Sequence, residues 1–235
     1  MSKSVSIVTD FHTHLLPDED CSGRPEISAE LVSAMAAAGV QNIALTPHFY
    51  PQSNKNVDDF LARRNARIEA LMAAISPDVK EKLCFVPGAE VLLCQNLEKL
   101  DGLSKLCFEG TSTILIEMPD LPWGTSLMDT LCEIKNSLGL DVIIAHVDRY
   151  GKKNAEMLIA KGFKVQVNSD NTASLSMRGT ITSWAKDGYV YALGSDKHVH
   201  SSKSSVIYKE FPKAAAVLSK FADEINARSL KLIGK

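Results

Sequence analysis

Seven short apolar runs recur along this 235-residue chain, and each is followed by a longer stretch whose apolar side chains have helical spacing. Several runs are rich in isoleucine and valine with little polar alternation, which is typical of parallel strands covered on both faces. The predicted strands span residues 5–10, 42–46, 83–87, 113–117, 141–145, 164–167 and 189–194. This alternation predicts a parallel α/β architecture, either an open doubly wound sheet or a closed barrel.

The stretches between the strands predict helices over residues 28–38, 57–75, 125–138, 154–161, 181–187 and 212–221, with a last helix near the C-terminus. Ser28 has the residue type of an N-cap for the first of them. Glycines at 39, 139, 162 and 188 each stand just before a predicted strand, which is typical of helix-to-strand loops. No repeat, low-complexity tract or linker divides the chain, so we expect one domain over residues 1–235.

The charge balance argues against nucleic-acid or membrane-surface binding. Twenty-six basic and 28 acidic residues give a net charge of −2, without a basic stripe. We interpret Arg63, Arg64 and Arg67 as a solvated basic face of the second helix. The five cysteines are odd in number and form no C-x-x-C pair, which favours a reducing compartment. Without a signal peptide or an apolar span of roughly 18 residues, we expect a cytoplasmic protein that does not insert into membranes.

Histidines and carboxylates are concentrated where the predicted strands end. In chain order these residues are Asp10, His12, His14, His48, Glu90, Glu117, His146, Asp196 and His198. In a barrel, the carboxyl ends of the strands meet on the face that carries the chemistry. Imidazole combined with carboxylate is the ligand chemistry of Zn²⁺, Mn²⁺ and Fe²⁺. The pattern therefore predicts a transition-metal site, and it favours the barrel.

The motifs around these residues resemble those of the PHP (polymerase and histidinol phosphatase) metallohydrolases, in the same order and over almost the whole chain. They are Asp10-Phe-His-Thr-His14, Thr46-Pro-His48, Gly88-Ala-Glu90, Ala145-His146 and Ser195-Asp-Lys-His198. Within that superfamily, the chain is most similar to the CpsB/YwqE-type manganese-dependent protein-tyrosine phosphatases of bacterial capsule and exopolysaccharide loci. The closer signals are His14-Leu-Leu-Pro17, Ile116-Glu117 and His146-Val-Asp-Arg-Tyr150. The resemblance implies a distorted, TIM-like (β/α)7 barrel of the PHP fold, as a single domain.

The resemblance also implies a centre of two to three divalent ions, with manganese as the metal and iron or zinc as alternatives. The first ion would be held by His12, His14, Glu90 and Asp196, and the second by Glu90, Glu117 and His146. The third would be held by His48, His198 and a carboxylate from the loop after His14. That loop reads Asp-Asp-Gly in the family and Asp20-Cys-Ser-Gly23 here, so the last ligand is Asp20 or Cys21.

Two cations are implied to bind the substrate phosphate. Arg149 matches the arginine of the family motif, and Lys203 stands where the family carries a second arginine downstream. Lysine keeps the charge but lacks the bidentate fork of arginine. The C-x₅-R loop of cysteine-dependent phosphatases follows none of the cysteines, which excludes a cysteine nucleophile of that kind.

The implied activity is metal-dependent phosphoester hydrolysis by a metal-activated hydroxide. The expected enzyme is a protein-tyrosine phosphatase that regulates capsular or extracellular polysaccharide biosynthesis, and its phosphotyrosine substrate is a bacterial tyrosine kinase of polysaccharide export. Two alternatives stay open at this point. One is a small-molecule phosphomonoesterase resembling histidinol phosphatase, and the other is a non-enzymatic barrel that binds a partner in a polysaccharide-assembly complex.

Overall fold

The computed structural model describes residues 6–16, 24–54, 56–120, 122–200 and 206–235. Seven strands alternate with helices, and four of them are interrupted and then resume as a short second segment. The strands are β1 (Thr9–Asp10 and Thr13–His14), β2 (Asn42–Leu45 and His48–Phe49), β3 (Cys84–Pro87 and Glu90–Leu92), β4 (Thr113–Glu117), β5 (Asp141–Ile144), β6 (Lys164–Asn168) and β7 (Val190–Gly194 and Lys197–His198). The predicted strands are confirmed, although the first begins later than expected, at Thr9.

The strands form a closed ring. Each strand from β1 to β6 pairs in parallel with the next one along the chain. The second segment of β7 then pairs with that of β1, with His198 opposite His14. Two backbone hydrogen bonds extend this contact, from Phe11 N to Leu193 O at 3.0 Å and from Asp196 N to His12 O at 2.7 Å. Of the two predicted architectures, the structure therefore confirms the closed barrel.

Helices cover the outside of this ring. They are α1 (Pro25–Ala37), α2 (Val57–Ala74), α3 (Pro77–Lys80), α4 (Thr125–Asn136), α5 (Lys152–Ala160), α6 (Ser169–Ala173), α7 (Leu175–Lys186), α8 (Glu210–Val217) and α9 (Ala222–Leu232). Short 3-10 turns occur at Leu97–Lys99, Leu103–Leu106, Val147–Tyr150 and Ser219–Phe221. Among the helices in the described ranges, none combines the length and apolar character that crossing a membrane requires.

The start of α1 differs from the expectation for Ser28. The helix begins at Pro25, because proline is favoured in the first turn, where its missing N–H costs no hydrogen bond. Ser28 lies inside the helix and is buried, and its Oγ donates a hydrogen bond to Leu15 O at 2.7 Å. The N-cap prediction is therefore wrong, and the hydroxyl of Ser28 instead ties α1 to the chain that follows β1.

The barrel interior below the histidines is apolar. Five strands each contribute one buried side chain to a single apolar cluster, namely Ala44, Val86, Leu115, Ile143 and Ala192. The rings of Phe11 and Phe108 pack edge to face in the same cluster, with centroids 4.9 Å apart. Such filling by side chains from successive strands is typical of small barrels. The polar residues at the carboxyl ends therefore stand on an apolar floor that excludes water from below.

Arg64 departs from the predicted solvated face of α2. Its side chain is buried, and its Nη1 donates to Gly88 O at 3.1 Å, at the interruption of β3. By contrast, Arg63 is exposed and donates to Asn54 Oδ1. The prediction of one continuous basic surface is therefore wrong, because Arg64 instead satisfies a backbone carbonyl just ahead of Glu90.

Gly88 fills a position that has no room for a side chain. A Cβ atom there would lie 2.6 Å from Phe108 Cδ1. We expect Gly88→Ala to lower the free energy of unfolding by about 1–3 kcal/mol through overpacking, measured by urea denaturation. Gly179→Ala is the matched control in helix α7, where nothing lies within 4 Å. It should raise the free energy of unfolding by about 0.5–1 kcal/mol, since alanine favours helix. Equal effects of the two substitutions would contradict this packing role.

Candidate metal centre

The interruptions of the strands place the histidines and carboxylates at one mouth of the barrel. The short second segments of β1, β2, β3 and β7 carry His14, His48, Glu90 and His198. These segments pair with each other, so that His48 lies opposite Glu90 and His198 lies opposite His14. The register of the strands therefore brings residues that are far apart in the chain into direct contact.

Glu90 lies at the centre of the cluster and is 1% exposed. Its Oε2 atom is 2.9 Å from His48 Nδ1, 3.2 Å from His12 Nε2 and 3.3 Å from His14 Nε2. Its Oε1 atom is 2.9 Å from His146 Nε2. One buried carboxylate thus faces four imidazoles with both oxygens, which is the arrangement of a ligand that bridges several cations.

Asp196 forms a second meeting point beside Glu90. Its Oδ1 atom lies 3.1 Å from His14 Nε2 and 3.6 Å from His12 Nε2. On the far side of the pocket, His48 Nε2 lies 3.1 Å from His198 Nε2. Two imidazole nitrogens that face each other at this distance can both bind one cation.

Four overlapping sets of three residues have ligand atoms within 4.8 Å of one another. They are His12, His14 and Asp196; His12, Glu90 and His146; His48, Glu90 and Glu117; and His14, His48 and His198. The structure thus brings together all eight predicted ligands in its described part. Because the sets share members, they form one pocket rather than separate sites. Asp20, the alternative Cys21 and Lys203 lie outside the described residues, so their roles stay predictions.

The buried carboxylates of the pocket, Glu90 and Asp196, are ionised. Burial disfavours the charged form of Glu90, but His12, His14 and His146 outweigh this effect and hold its pKa well below the usual range. For His14, burial is outweighed by Asp196 and Glu90, which raise its pKa to about 10. Burial would also raise the pKa of Asp196, but His12 and His14 outweigh this effect and lower that pKa. Without an ion, the protonated His14 supplies positive charge beside these buried carboxylates, and a divalent ion would take the place of that proton.

His198 has the ring orientation of a metal ligand. Its Nδ1 lies 3.0 Å from the backbone oxygen of Asp196. A carbonyl oxygen only accepts, so Nδ1 carries the proton and Nε2 turns its lone pair toward His48. Metal-binding histidines commonly donate their second N–H in this way, which fixes the tautomer. The donor set and its orientation therefore fit transition-metal ions.

Arg149 stands at the rim of the pocket, in the 3-10 turn that follows β5. Its guanidinium pairs with Asp196 Oδ2 while the side chain stays 44% exposed. Burial opposes the charge of Arg149, but Asp196 outweighs it and raises the pKa. The neighbouring Asp148 holds the turn, because it accepts from Asn168 N at 2.9 Å and from Asn171 Nδ2 at 2.6 Å. Arg149 is therefore both fixed in place and open to an incoming anion.

Several polar residues around the pocket escaped the sequence analysis. Tyr208 OH donates to Asp10 Oδ2 at 2.6 Å, and Ser195 N donates to Asp10 Oδ1 at 2.8 Å. In strand β6, Gln166 and Asn168 are both buried and point to the same side. A sequence signal existed for this last pair, since polar residues alternate with valine along β6, which reads Lys-Val-Gln-Val-Asn.

Solved structures support the fold. The chain is similar to a structure from the set of YwqE from Bacillus subtilis and CpsB from Streptococcus pneumoniae, unique metal-dependent tyrosine phosphatases. The TM-score is 0.76 at 21% identity, covering 96% of this chain and 94% of the other. Histidinol phosphate phosphatase from Lactococcus lactis follows with a TM-score of 0.57, 13% identity and coverage of 92% and 93%. The phosphotriesterase from Mycobacterium tuberculosis has a TM-score of 0.51, 13% identity and coverage of 97% and 96%.

The family assignment comes from the sequence. No curated protein sequence matches the chain. The family described as capsular polysaccharide synthesis, CpsB/CapC, matches residues 8–231, which include every ligand candidate that the structure describes. This match confirms the resemblance drawn from the motifs. The chain belongs to the CpsB/CapC family of capsular polysaccharide synthesis.

Proposed function

We propose that this chain is a metal-dependent phosphatase that removes phosphate from phosphotyrosine in a protein of capsular polysaccharide synthesis. The observation that carries the proposal is the convergence of five histidines and three carboxylates in one buried pocket, with Arg149 at its rim. A pocket of this composition costs folding free energy unless it is occupied by cations. The family and the fold of the phosphatases named above agree with this activity.

The eight residues of the pocket would hold two to three divalent ions, with manganese proposed and iron or zinc as alternatives. When bound, such ions polarise phosphoryl oxygens and lower the pKa of a water molecule toward neutrality. Glu90 and Asp196 supply the buried negative charge, and the histidines offer their ring nitrogens as ligand atoms. Asp20 or Cys21 would complete the set near His48 and His198.

Arg149 would bind the phosphate of the substrate. Its guanidinium is half-exposed beside Asp196 and can direct its remaining N–H groups toward phosphate oxygens. We place Lys203 in the same role, as a second cation for the charge of the transition state.

Aromatic side chains beside the pocket favour an aryl phosphate. Tyr50 stacks on His48 with centroids 5.1 Å apart, and Trp123 meets Tyr150 edge to face at 5.2 Å. The hydroxyl of Tyr150 in turn lies 3.1 Å from His146 Nδ1. A phosphotyrosine ring would find apolar ring faces here, within reach of the proposed ions. As physiological substrate we propose a cytoplasmic segment of a bacterial tyrosine kinase of polysaccharide export.

The proposal predicts bound metal and a preference for phosphotyrosine. Elemental analysis should find about two to three transition ions per chain, and chelation should abolish hydrolysis of a phosphotyrosine peptide until Mn²⁺ is returned. His146→Ala should lose both metal and activity, because it removes an imidazole that faces Glu90 and Glu117. His200→Ala is the matched control: its ring stacks on His198 with centroids 6.3 Å apart, but His200 belongs to none of the four ligand sets, so metal and activity should be kept.

Three results would change the proposal. Faster turnover of histidinol phosphate than of the peptide would indicate the small-molecule phosphatase. Absence of both metal and activity after Mn²⁺ addition would favour the alternative of a non-enzymatic barrel that binds a partner. Equal activity of His146→Ala and wild type would remove His146 from the centre.

A further inference from the structure

Gln166 is completely buried in strand β6, directly behind two of the proposed ligands. Its Oε1 atom lies 2.8 Å from the backbone nitrogen of His146 and 3.1 Å from His12 Nδ1. Its Nε2 atom donates to Val167 O at 2.7 Å and to Asn168 Oδ1 at 2.9 Å. All four hydrogen bonds of this amide are made within the protein, and two of them reach the pocket.

The orientation of the amide follows from its partners. The backbone nitrogen of His146 can only donate, so the atom that faces it is the oxygen of Gln166. On the other side, Asn168 Nδ2 donates to the carboxylate of Asp196 at 3.2 Å. The side-chain oxygen of Asn168 therefore faces Gln166. Because this oxygen accepts, the atom of Gln166 on this side is the nitrogen of its NH₂ group. Two independent partners thus give the same orientation for this one amide.

This orientation decides the tautomer of His12. An amide oxygen accepts but cannot donate, so the nitrogen of His12 that faces Gln166 carries a proton. The other nitrogen, His12 Nε2, then has its lone pair for an ion that Glu90 and Asp196 would hold with it. A chain of hydrogen-bonded side chains thus connects two proposed ligands of the pocket. In order, its members are Asp196, Asn168, Gln166 and His12.

The same oxygen also supports the backbone of His146. This residue has φ 29°, a conformation that non-glycine residues adopt rarely and at a cost. The hydrogen bond from its N–H to Gln166 helps to hold it there. The packing around His12 and Gln166 is tight, because a Cβ at Gly194 would lie 2.6 Å from His12 Cβ and 2.7 Å from Gln166 Nε2.

We propose that Gln166 is a positioning residue that sets the tautomer of His12 and the backbone of His146, and thereby the affinity of the pocket for metal ions. The inference rests on the proposed function, since it presupposes that the pocket holds metal. Outer partners of metal-binding histidines act in this way when they accept the second N–H. Here a single side chain would serve two ligands that lie on different strands.

The test compares three variants with wild type, with Zn²⁺ as the probe in competition with a chelating indicator. Gln166→Met keeps the length of the side chain but removes the acceptor, and we expect roughly 10- to 100-fold weaker Zn²⁺ binding. Gln166→Glu keeps the acceptor oxygen toward His12 and His146 but turns its second oxygen against Val167 O and Asn168 Oδ1, so it should lose stability yet bind Zn²⁺ more tightly than Gln166→Met. Asn226→Leu removes a buried amide elsewhere, which bonds to Val8 N and Ser6 O. It should lower stability without weakening Zn²⁺ binding.

A second measurement needs no variant. In the zinc-loaded wild type with ¹⁵N-labelled histidine, we expect His12 to bind through Nε2 and to show a slowly exchanging proton on Nδ1. Ligation of His12 through Nδ1 would overturn the inference, even if Gln166→Met fails to fold.

The outcomes separate the inference from the proposed function. Zn²⁺ binding by Gln166→Met that equals wild type would overturn the positioning role and leave the metal centre intact. An equal loss in Gln166→Met and Asn226→Leu would also overturn it, since the effect would then follow stability alone. Failure of the wild type to bind Zn²⁺ or Mn²⁺ would contradict the proposed function itself.

Discussion

Replacing Glu90 by glutamine should remove most of the proposed metal from the pocket, and with it the proposed phosphatase activity. The carboxylate lies within 3.3 Å of His48, His12, His14 and His146, so the change affects every part of the cluster. An amide lacks the negative charge and turns an NH₂ group toward nitrogens that should face a cation. We expect metal affinity to fall by more than the roughly 10- to 100-fold that loss of an outer partner costs.

Elemental analysis and titration with Mn²⁺ would measure this effect, and turnover of a phosphotyrosine peptide would follow it. Glu133→Gln is the control, because Glu133 is exposed on helix α4, away from the strand ends. Full metal content in Glu90→Gln would show that the bridging position assigned to Glu90 is mistaken.

Arg149→Lys should impair catalysis while leaving the metal in place. Lysine keeps the positive charge beside Asp196 but offers a single ammonium in place of a planar fork for phosphate oxygens. We expect kcat/KM for a phosphotyrosine peptide to fall by about 100- to 1000-fold, as for the loss of a donor to transition-state charge. Steady-state kinetics with metal analysis of the same sample would measure both effects.

Arg63→Lys is the matched control for this change, since Arg63 is exposed and bonds only to Asn54 among the hydrogen bonds of the described residues. It should leave both quantities unchanged. If Arg149→Lys instead loses metal in proportion to activity, Arg149 acts through Asp196 and not on the phosphate.

Four strands of the barrel carry proposed ligands in a short segment beyond an interruption. In an unbroken strand, alternate side chains point inward, one layer above the other. The breaks at Gly88 and Ala89 in β3, and at the equivalent points of β1, β2 and β7, are each two residues long and therefore keep this alternation. His48 and Glu90 lie side by side in the same register that pairs Ala44 with Val86, above that apolar floor.

The positions of the histidines were informative because strand ends are local features. An apolar run that stops at a histidine or carboxylate can be read from a few residues, and parallel strands bring such ends together wherever the helices connect them. The family motifs added the identities of the proposed ligands. By contrast, Ser28 and Arg64 were misread, because their hydrogen-bond partners Leu15 and Gly88 come close only in the folded chain.

The sequence by itself determined the alternation of strands and helices, the family, and which histidines and carboxylates could bind metal, because these depend on residue type and local order. Only the tertiary structure decided that β7 closes on β1, that Glu90 lies among four imidazoles, and that Gln166 stands behind His12 and His146. These contacts join residues far apart in the chain. Their geometry follows from strand register and packing against neighbours such as Gly194, which no short stretch of sequence encodes.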